Sequence, residues 1–372
     1  EHRCRRTKLM CSLRAHYRSF SFSASLTNVM PAWVINKYGK NEMLRFTKNA
    51  ALPIIHYSNE VTVKVHAAGL NPIDISMRGC YGAATMAMKR DALNMKQSGS
   101  GFPLILGRDV SGEIVECGLD VKYFKPGDQV WAAIPPSVCS PQSLMFMSVT
   151  QVSHKPKSLR HVEATSIPYV AATAWSAIVN TGGLNKDNSS KKCVLILGGS
   201  GGVGTLAMQM VKAWGAHVTV TCSQNAERLV RDLGADDVVD YTAGPVEKQL
   251  QTLQKFDLIL DNIGGESEKW ALDLLRPWNG AKYVTLVTPF LHNTDRLGLA
   301  DGMMQKGVHY RWGFFAQRGP TLDEISEMVD SGKVRPVVEE VFSFAQVPRA
   351  FQKVEQGHAC GKTVVSIEAQ KE

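Results

Sequence analysis

Two rhythms of apolar residues divide the chain. From Pro31 to about residue 150, short segments such as MPAWVIN, EVTVKVHAAGLN, SGEIVECG and DQVWAAI lie between turns rich in Gly and Pro, KPGD at 125–128 among them. The valines of EVTVKV alternate with Thr62 and Lys64, the period of a strand with one buried face. This part reads as a mostly β domain. Residues 83–101, AATMAMKRDALNMKQSGSG, break its rhythm with a basic, Met-bearing stretch that reads as an inserted surface loop.

After His154-Lys155-Pro156 the pattern changes. Small and apolar residues recur at helical spacing in ATSIPYVAATAWSAIVNTGG. Strand-like CVLILGG, AHVTVTCS, DVVDY, FDLILDNIG, AKYVTLVT and VHYRWGFF then alternate with helical stretches, of which LAMQMVKAWG ends at Gly215, as a helix C-terminus favours. Alternating strands and helices predict a parallel sheet covered on both faces. From about residue 320 come a helix (TLDEISEMVDSGK), a strand (VEEVFSF), a helix (VPRAFQKVEQG) and a strand (KTVVSI) that returns towards the first domain. The expected class is α/β, a β domain beside a doubly wound sheet.

The strongest local signal is the run of glycines in LILGGSGGVG, residues 195–204, between an apolar strand and a helix. In that setting a Gly-rich turn lets backbone approach a pyrophosphate and aims the free N–H groups of the helix start at its charge. A Walker loop is excluded, since no Gly-Lys-Ser/Thr ends the turn. About twenty residues on, where NAD sites place an acid against the ribose, the chain reads TCSQNAER, with Ser223 in that place. A hydroxyl can donate to a 2′-phosphate that a carboxylate would repel, so NADPH is favoured, with Arg228 as a basic partner and Tyr241 near the adenosine.

Charge changes the picture at the N-terminus alone. Of a formal +8, residues 1–28 carry six Arg and Lys against Glu1, leaving +3 for the rest. This Ser-rich, acid-poor segment lacks the apolar core of a secretory signal and has the composition of a mitochondrial transit peptide; the alternative is a basic arm on anionic surfaces. Folded structure is expected to begin near Met30-Pro31. The near-neutral remainder, with no basic stretch interleaved with aromatics, argues against nucleic-acid binding. No apolar run has the length of a membrane-spanning helix. The eight cysteines form no C-x-x-C pair and no Cys/His cluster at metal spacing, which suggests a reducing compartment and no structural zinc.

Eight segments together resemble one family: AAGLNPIDISMRGCYG (67–82), FPLILGRDVSGEIVECG (102–118), FKPGDQVW (124–131), TAWSAI (173–178), GGSGGVG (198–204), LGADDVVDY (233–241), FDLILDNIGG (256–265) and GKTVV (361–365). The chain is similar in these, and in their order, to the quinone oxidoreductase branch of the medium-chain dehydrogenase/reductase superfamily. The resemblance implies a transit peptide at 1–29, a GroES-like substrate domain at 30–160, a Rossmann NADPH-binding domain at 161–318 and a C-terminal return to the substrate domain at 319–372. It implies pyrophosphate contacts from Gly198, Gly199, Ser200, Gly201, Gly202, Val203 and Gly204, adenosine contacts from Ser223 and Tyr241, and cleft-lining Asn262 and Leu286. Thr173, Gly313, Phe315, His358, Ala359 and Cys360 are expected at the nicotinamide half. Asn71 and Tyr81 are the expected catalytic residues, Tyr81 as a proton donor. Zinc-dependent relatives have a Cys and a Gly-His-Glu where this chain has Asp74 and Gly107-Arg108-Asp109, so no metal is expected.

The reaction so implied is hydride transfer to a quinone or small enone in mitochondria, with quinones of ubiquinone biosynthesis as candidates; a homodimer and peripheral association with a membrane are compatible with it. One alternative is a 2-enoyl thioester reductase, for which Lys89, Arg90 and Lys96 form the candidate phosphopantetheine patch. Another is an NADPH-bound scaffold whose partner is a reticulon. Two segments depart from the family pattern, 137–151 and 303–308, as lineage differences or as marks of an altered transcript.

Overall fold

In the computed structural model the described residues are 29–83, 102–134, 144–287, 309–312 and 319–367. Residues 1–28 of the expected transit peptide, the inserted loop beyond Ala83, Gly313 and Phe315 lie outside them, as does all of 303–308. A two-stranded sheet pairs β1 (Val29–Val34) with β2 (Arg45–Ala51), and Val29 already faces Ala51, one residue before the expected start.

Then come β3 (Glu60–Leu70), α1 (Pro72–Arg78), β4 (Asp109–Cys117), β5 (Gln129–Ala133), β6 (Leu144–Ser148) and β7 (Val152–His154). The divergent segment 137–151 thus still delivers a strand, β6, which pairs antiparallel with β3. A one-turn helix α2 (His161–Ala164) and α3 (Pro168–Trp175), continued by a π-helical turn at Ser176–Thr181, lead into the second sheet.

There β8 (Cys193–Leu197), α4 (Gly202–Ala213), β9 (His217–Cys222), α5 (Glu227–Asp232), β10 (Asp237–Asp240), α6 (Val246–Gln251), β11 (Leu258–Asp261), α7 (Ser267–Leu274), β12 (Lys282–Thr285) and β13 (His309–Trp312) succeed one another. The chain ends its described part with α8 (Gly319–Asp330), β14 (Val338–Ser343), α9 (Val347–Glu355) and β15 (Lys362–Ser366).

The second sheet is parallel throughout, in the order β10-β9-β8-β11-β12-β13, which reverses direction between β8 and β11. That is the doubly wound Rossmann order, with its ligand crevice at the switch point. Its strands are apolar on both faces because both faces are covered. Val194 and Ile196 of β8 join one core with Leu206, Met210 and Val218, whereas Leu195 and Leu197 join another with Phe256, Ile259 and Tyr283. Helix α8 puts Leu322, Ile325 and Val329 into the first of these cores, and through Asp323, which accepts from Ser153 Oγ (2.6 Å), it also packs against β7 of the first domain.

The first domain is a seven-stranded sheet in the order β14-β15-β3-β4-β5-β7 with β6 beside β3. The expected half-buried strand proves buried on both faces: in β3 only Lys64 is exposed, and Thr62 is buried. The valines pack in one core with Val110 and Met145, and on the opposite face His66 stacks on His161 of α2, so alternation of Thr and Lys with Val does not mark a solvent face; both edges are also paired, one with β6 and then β15, the other with β4.

This central pairing has little slack. A Cβ on Gly112 of β4 would lie 2.0 Å from the Lys64 carbonyl oxygen of β3. Gly112→Ala is expected to part the two strands and to destabilise the protein by at least ~2 kcal/mol, read as a fall in the midpoint of urea unfolding.

Candidate nucleotide and substrate site

The glycine loop leaves the C-terminal end of β8 and is fixed to β9 by two bonds, Gly198 N to Thr221 Oγ1 (3.0 Å) and Gly199 N to the Thr221 carbonyl (2.8 Å). Helix α4 begins at Gly202, with Gly201 as a cap that offers no side-chain partner, so the helix start keeps free N–H groups. The loop closes on itself at Gly204, whose added Cβ would lie 2.3 Å from the Gly198 carbonyl oxygen. At Gly201 the nearest atom to such a Cβ is 3.9 Å away. The space a side chain would fill there, facing a helix N-terminus, suits the phosphates of a dinucleotide. Ser200 and Val203 lie in the same turn, Val203 packed against the core.

The neighbouring strand ends complete this edge. Asn262, just past β11, donates through Nδ2 to the Leu197 carbonyl (3.0 Å), while its Oδ1 is buried with no partner. An orphaned acceptor at the switch point has the chemistry to take a hydrogen bond from a hydroxyl or amide of a nucleotide. Leu286, past β12, donates its N–H to the Asp261 carbonyl (3.0 Å). Ser223, past β9, is extended, and its hydroxyl makes no capping bond. Tyr241, past β10, is 43% exposed.

Thr173 lies on α3, but its hydroxyl is committed to the Tyr169 carbonyl (2.7 Å). The segment 358–360 lies close to the glycine loop. Tyr241 Oη and His358 Nδ1 stand 3.5 Å apart, and Gly361 bridges to Gly201, so His358, Ala359 and Cys360 run beside the glycine loop and the ends of β9 and β10. His358 holds a left-handed backbone, φ 54°.

Behind the loop lies a buried polar network that the sequence reading does not assemble. Lys362, at the start of β15, rests its stem near Gly202, where an added Cβ would meet its Cδ at 2.9 Å. Its Nζ donates to the Leu70 carbonyl (3.0 Å), to Asp109 Oδ2 (2.9 Å) and to Asn71 Oδ1. Asn71 Nδ2 in turn donates to Asp109 Oδ2 (2.8 Å), and Asp109 Oδ1 accepts the Tyr169 N–H at the start of α3 (2.6 Å).

Asn71 is therefore buried and bound at both ends of its carboxamide. Tyr81 lies nearer the surface: it comes after Cys80, left-handed at φ 90°, and is 47% exposed. Tyr169 carries no signal in the sequence; burial first, then the charge of Asp74, holds its phenol well above the usual tyrosine range, with Tyr81 among its neighbours. The one hint of the network is the lysine that opens the strand KTVVSI.

Asp74 and Arg108 form a second buried pair. Arg108 Nε approaches Asp74 Oδ1 at 3.6 Å with neither side chain exposed, and Asp74 also accepts the N–H groups of Asn71 and Gly107, both at 2.9 Å. The residues present do not fit zinc: each carboxylate at these places is paired with a cation, and among the described residues no group of His, Cys, Asp and Glu is placed to hold a metal.

A second clamp shapes the wall after β11. Buried Asp261 accepts from Ile263 N (2.8 Å), Gly264 N (3.0 Å), Ser267 Oγ (2.9 Å) and the Tyr283 hydroxyl. It holds Ile263, 62% exposed, over Gly198.

Comparison with known proteins fits this geometry. Residues 57–152 match the family "Alcohol dehydrogenase GroES-like domain" and residues 233–365 match "Zinc-binding dehydrogenase". The quinone oxidoreductase structure from Coxiella burnetii superposes with a TM-score of 0.76 at 27% identity, over 91% of this chain and 99% of that one. NAD(P)H oxidoreductase RTN4IP1, mitochondrial, of Danio rerio is 81% identical, over 99% of each chain. Reticulon-4-interacting protein 1, mitochondrial, of Caenorhabditis elegans is 33% identical, over 93% of this chain and 98% of the relative. The chain therefore belongs to the medium-chain dehydrogenase/reductase superfamily, among its mitochondrial NAD(P)H oxidoreductases.

Burial pushes the Asp74 carboxyl up to about 6, against the pull of Arg108. A carboxyl that holds its proton more tightly when folded adds stability in acid, and this is lost as pH rises from the ordinary carboxylate range through about 6. Relative to Asp74→Asn, the wild type is expected to lose on the order of 3 kcal/mol across that window and then level off, measured by urea unfolding at successive pH values.

Proposed function

We propose that this protein reduces quinones with NADPH and without a metal ion, in a cleft between a nucleotide domain at residues 161–318 and a substrate domain built from 30–160 and 319–372. The observation that carries this reading is the charge pairing of Asp74 with Arg108 and of Asp109 with Lys362. Where zinc-dependent relatives hold a Lewis acid, these groups are committed to each other, and nothing is left to polarise an alcohol or ketone oxygen. A quinone needs no such help, because addition of a hydride and a proton gives an aromatic hydroquinone.

When bound, the nicotinamide supplies the hydride. The chain's own groups do the rest. Gly198 to Gly204 and the start of α4 hold the pyrophosphate, and the orphaned Asn262 Oδ1 accepts from the nucleotide. Asn71 is held in one orientation, and the exposed Tyr81 phenol delivers the proton. Ser223 and Arg228, the latter with its side chain 94% exposed and able to swing, select the 2′-phosphate. Support for the acceptor comes from the quinone oxidoreductase of Coxiella burnetii, and the mitochondrial setting makes ubiquinone-pathway quinones the first substrates to try. A second reading, an NADPH-bound scaffold for a reticulon, draws on the partner for which the C. elegans relative is named. It shares the nucleotide site and differs in turnover.

Fluorescence titration is expected to give tighter binding of NADPH than of NADH, and addition of 1,4-benzoquinone is expected to consume the NADPH absorbance. Binding without oxidation would favour the scaffold. Ser223→Asp is expected to weaken NADPH by about tenfold or more while sparing NADH, since it sets a carboxylate against the 2′-phosphate.

A further inference from the structure

Lys362 is charged at its head and apolar along its stem, and the two parts touch different things. The stem lies against Gly202, the first residue of α4, and the next residue back, Gly361, bridges to Gly201. The head reaches away from the loop to Leu70, Asn71 and Asp109 of the other sheet. Both ends of the side chain are enclosed, with the residue 5% exposed.

The hydrogen bonds around the head leave no choice of orientation. An ammonium only donates and a carboxylate only accepts, so Asn71 must present Oδ1 to Lys362 and Nδ2 to Asp109. Turned over, the carboxamide would set NH₂ against NH₃⁺ and oxygen against carboxylate. The other oxygen of Asp109 holds the N-terminus of α3 through Tyr169 N.

We propose that Lys362 is a positioning residue with two separable parts: its stem seats the nucleotide loop at Gly202, and its ammonium fixes the orientation of the Asn71 carboxamide. This rests on the reading of the glycine loop as the NADPH site. A lysine that merely neutralised Asp109 would be dispensable once that charge was gone.

The test removes the charge pair while keeping or deleting the stem, in the full chain. Lys362→Met alone leaves Asp109 buried and unpaired, so its melting temperature is expected to fall. Pairing it with Asp109→Asn restores neutrality and should restore most of that fall. The carboxamide introduced by Asp109→Asn can then donate where the carboxylate accepted, which lets Asn71 turn over.

The Met/Asn double variant, which keeps the stem, should bind NADPH within about threefold of wild type, yet its kcat with 1,4-benzoquinone should drop about tenfold or more. The corresponding Ala/Asn variant, lacking the stem, should also weaken NADPH binding by about tenfold and speed hydrogen exchange of residues 198–206 in the nucleotide-free protein. Two double variants alike in affinity and exchange would overturn the role of the stem, and wild-type kcat in the Met/Asn variant would overturn that of the ammonium. Exchange needs no nucleotide, so it decides the role of the stem even if the wild type binds none, a result that would sink the NADPH reading.

Discussion

Asp109 is a fully buried carboxylate whose two oxygens accept from Lys362 Nζ, Asn71 Nδ2 and Tyr169 N, donors drawn from separate stretches of chain, and Lys362 is itself held by Leu70. An ion in that position is tolerated only if its partners stay in place, since an unpaired buried charge costs several kcal/mol. The end of β3, the start of β4, the start of β15 and the start of α3 are therefore fixed to one another by electrostatics as well as by packing. Burial of Trp131 in the core shared with Ala164 and Val194 adds an apolar tie between the same two halves.

That constraint also limits the chemistry. A metal centre needs anionic or neutral ligands that converge on open space, whereas Asp74 and Asp109 converge on Arg108 and Lys362. The same fold that elsewhere carries a zinc-binding description is here occupied at its heart by internal ion pairs. Under the reading proposed above, the exposed Tyr81 phenol and the backbone of the glycine loop remain, so position and proton supply are what the protein would contribute.

Period and punctuation in the sequence are enough to find the second sheet, because each strand of it is a short apolar run succeeded by a helix, and GGSGGVG stands at the one place where such a loop has meaning. The order of the strands fits that reading. Period alone misjudges the burial of β3, since Thr62 and Lys64 carry the same pattern whether that face of the sheet meets water or is covered by protein. Strands β2 and β7 escape notice because RFTKNAA and VSH have too few apolar residues to announce themselves. The buried network is out of reach for a different reason. Asn71, Asp109 and Lys362 are far apart in sequence, and only the sheet order β15-β3-β4 makes them neighbours.

Strand β15 also sets the order in which the protein can be completed. It lies between β14 and β3, in the interior of the seven-stranded sheet, and it is the last strand described in the chain. Emerging from the ribosome, β3 is paired by β6 along its first half, but the edge of its second half, residues 67–70, waits uncovered while the whole Rossmann unit is made and can fold. Only when GKTVV arrives does Lys362 reach Leu70, 292 residues away along the chain, and close the first sheet. The substrate domain thus begins first and finishes last, with its exposed edge at risk of association throughout that interval.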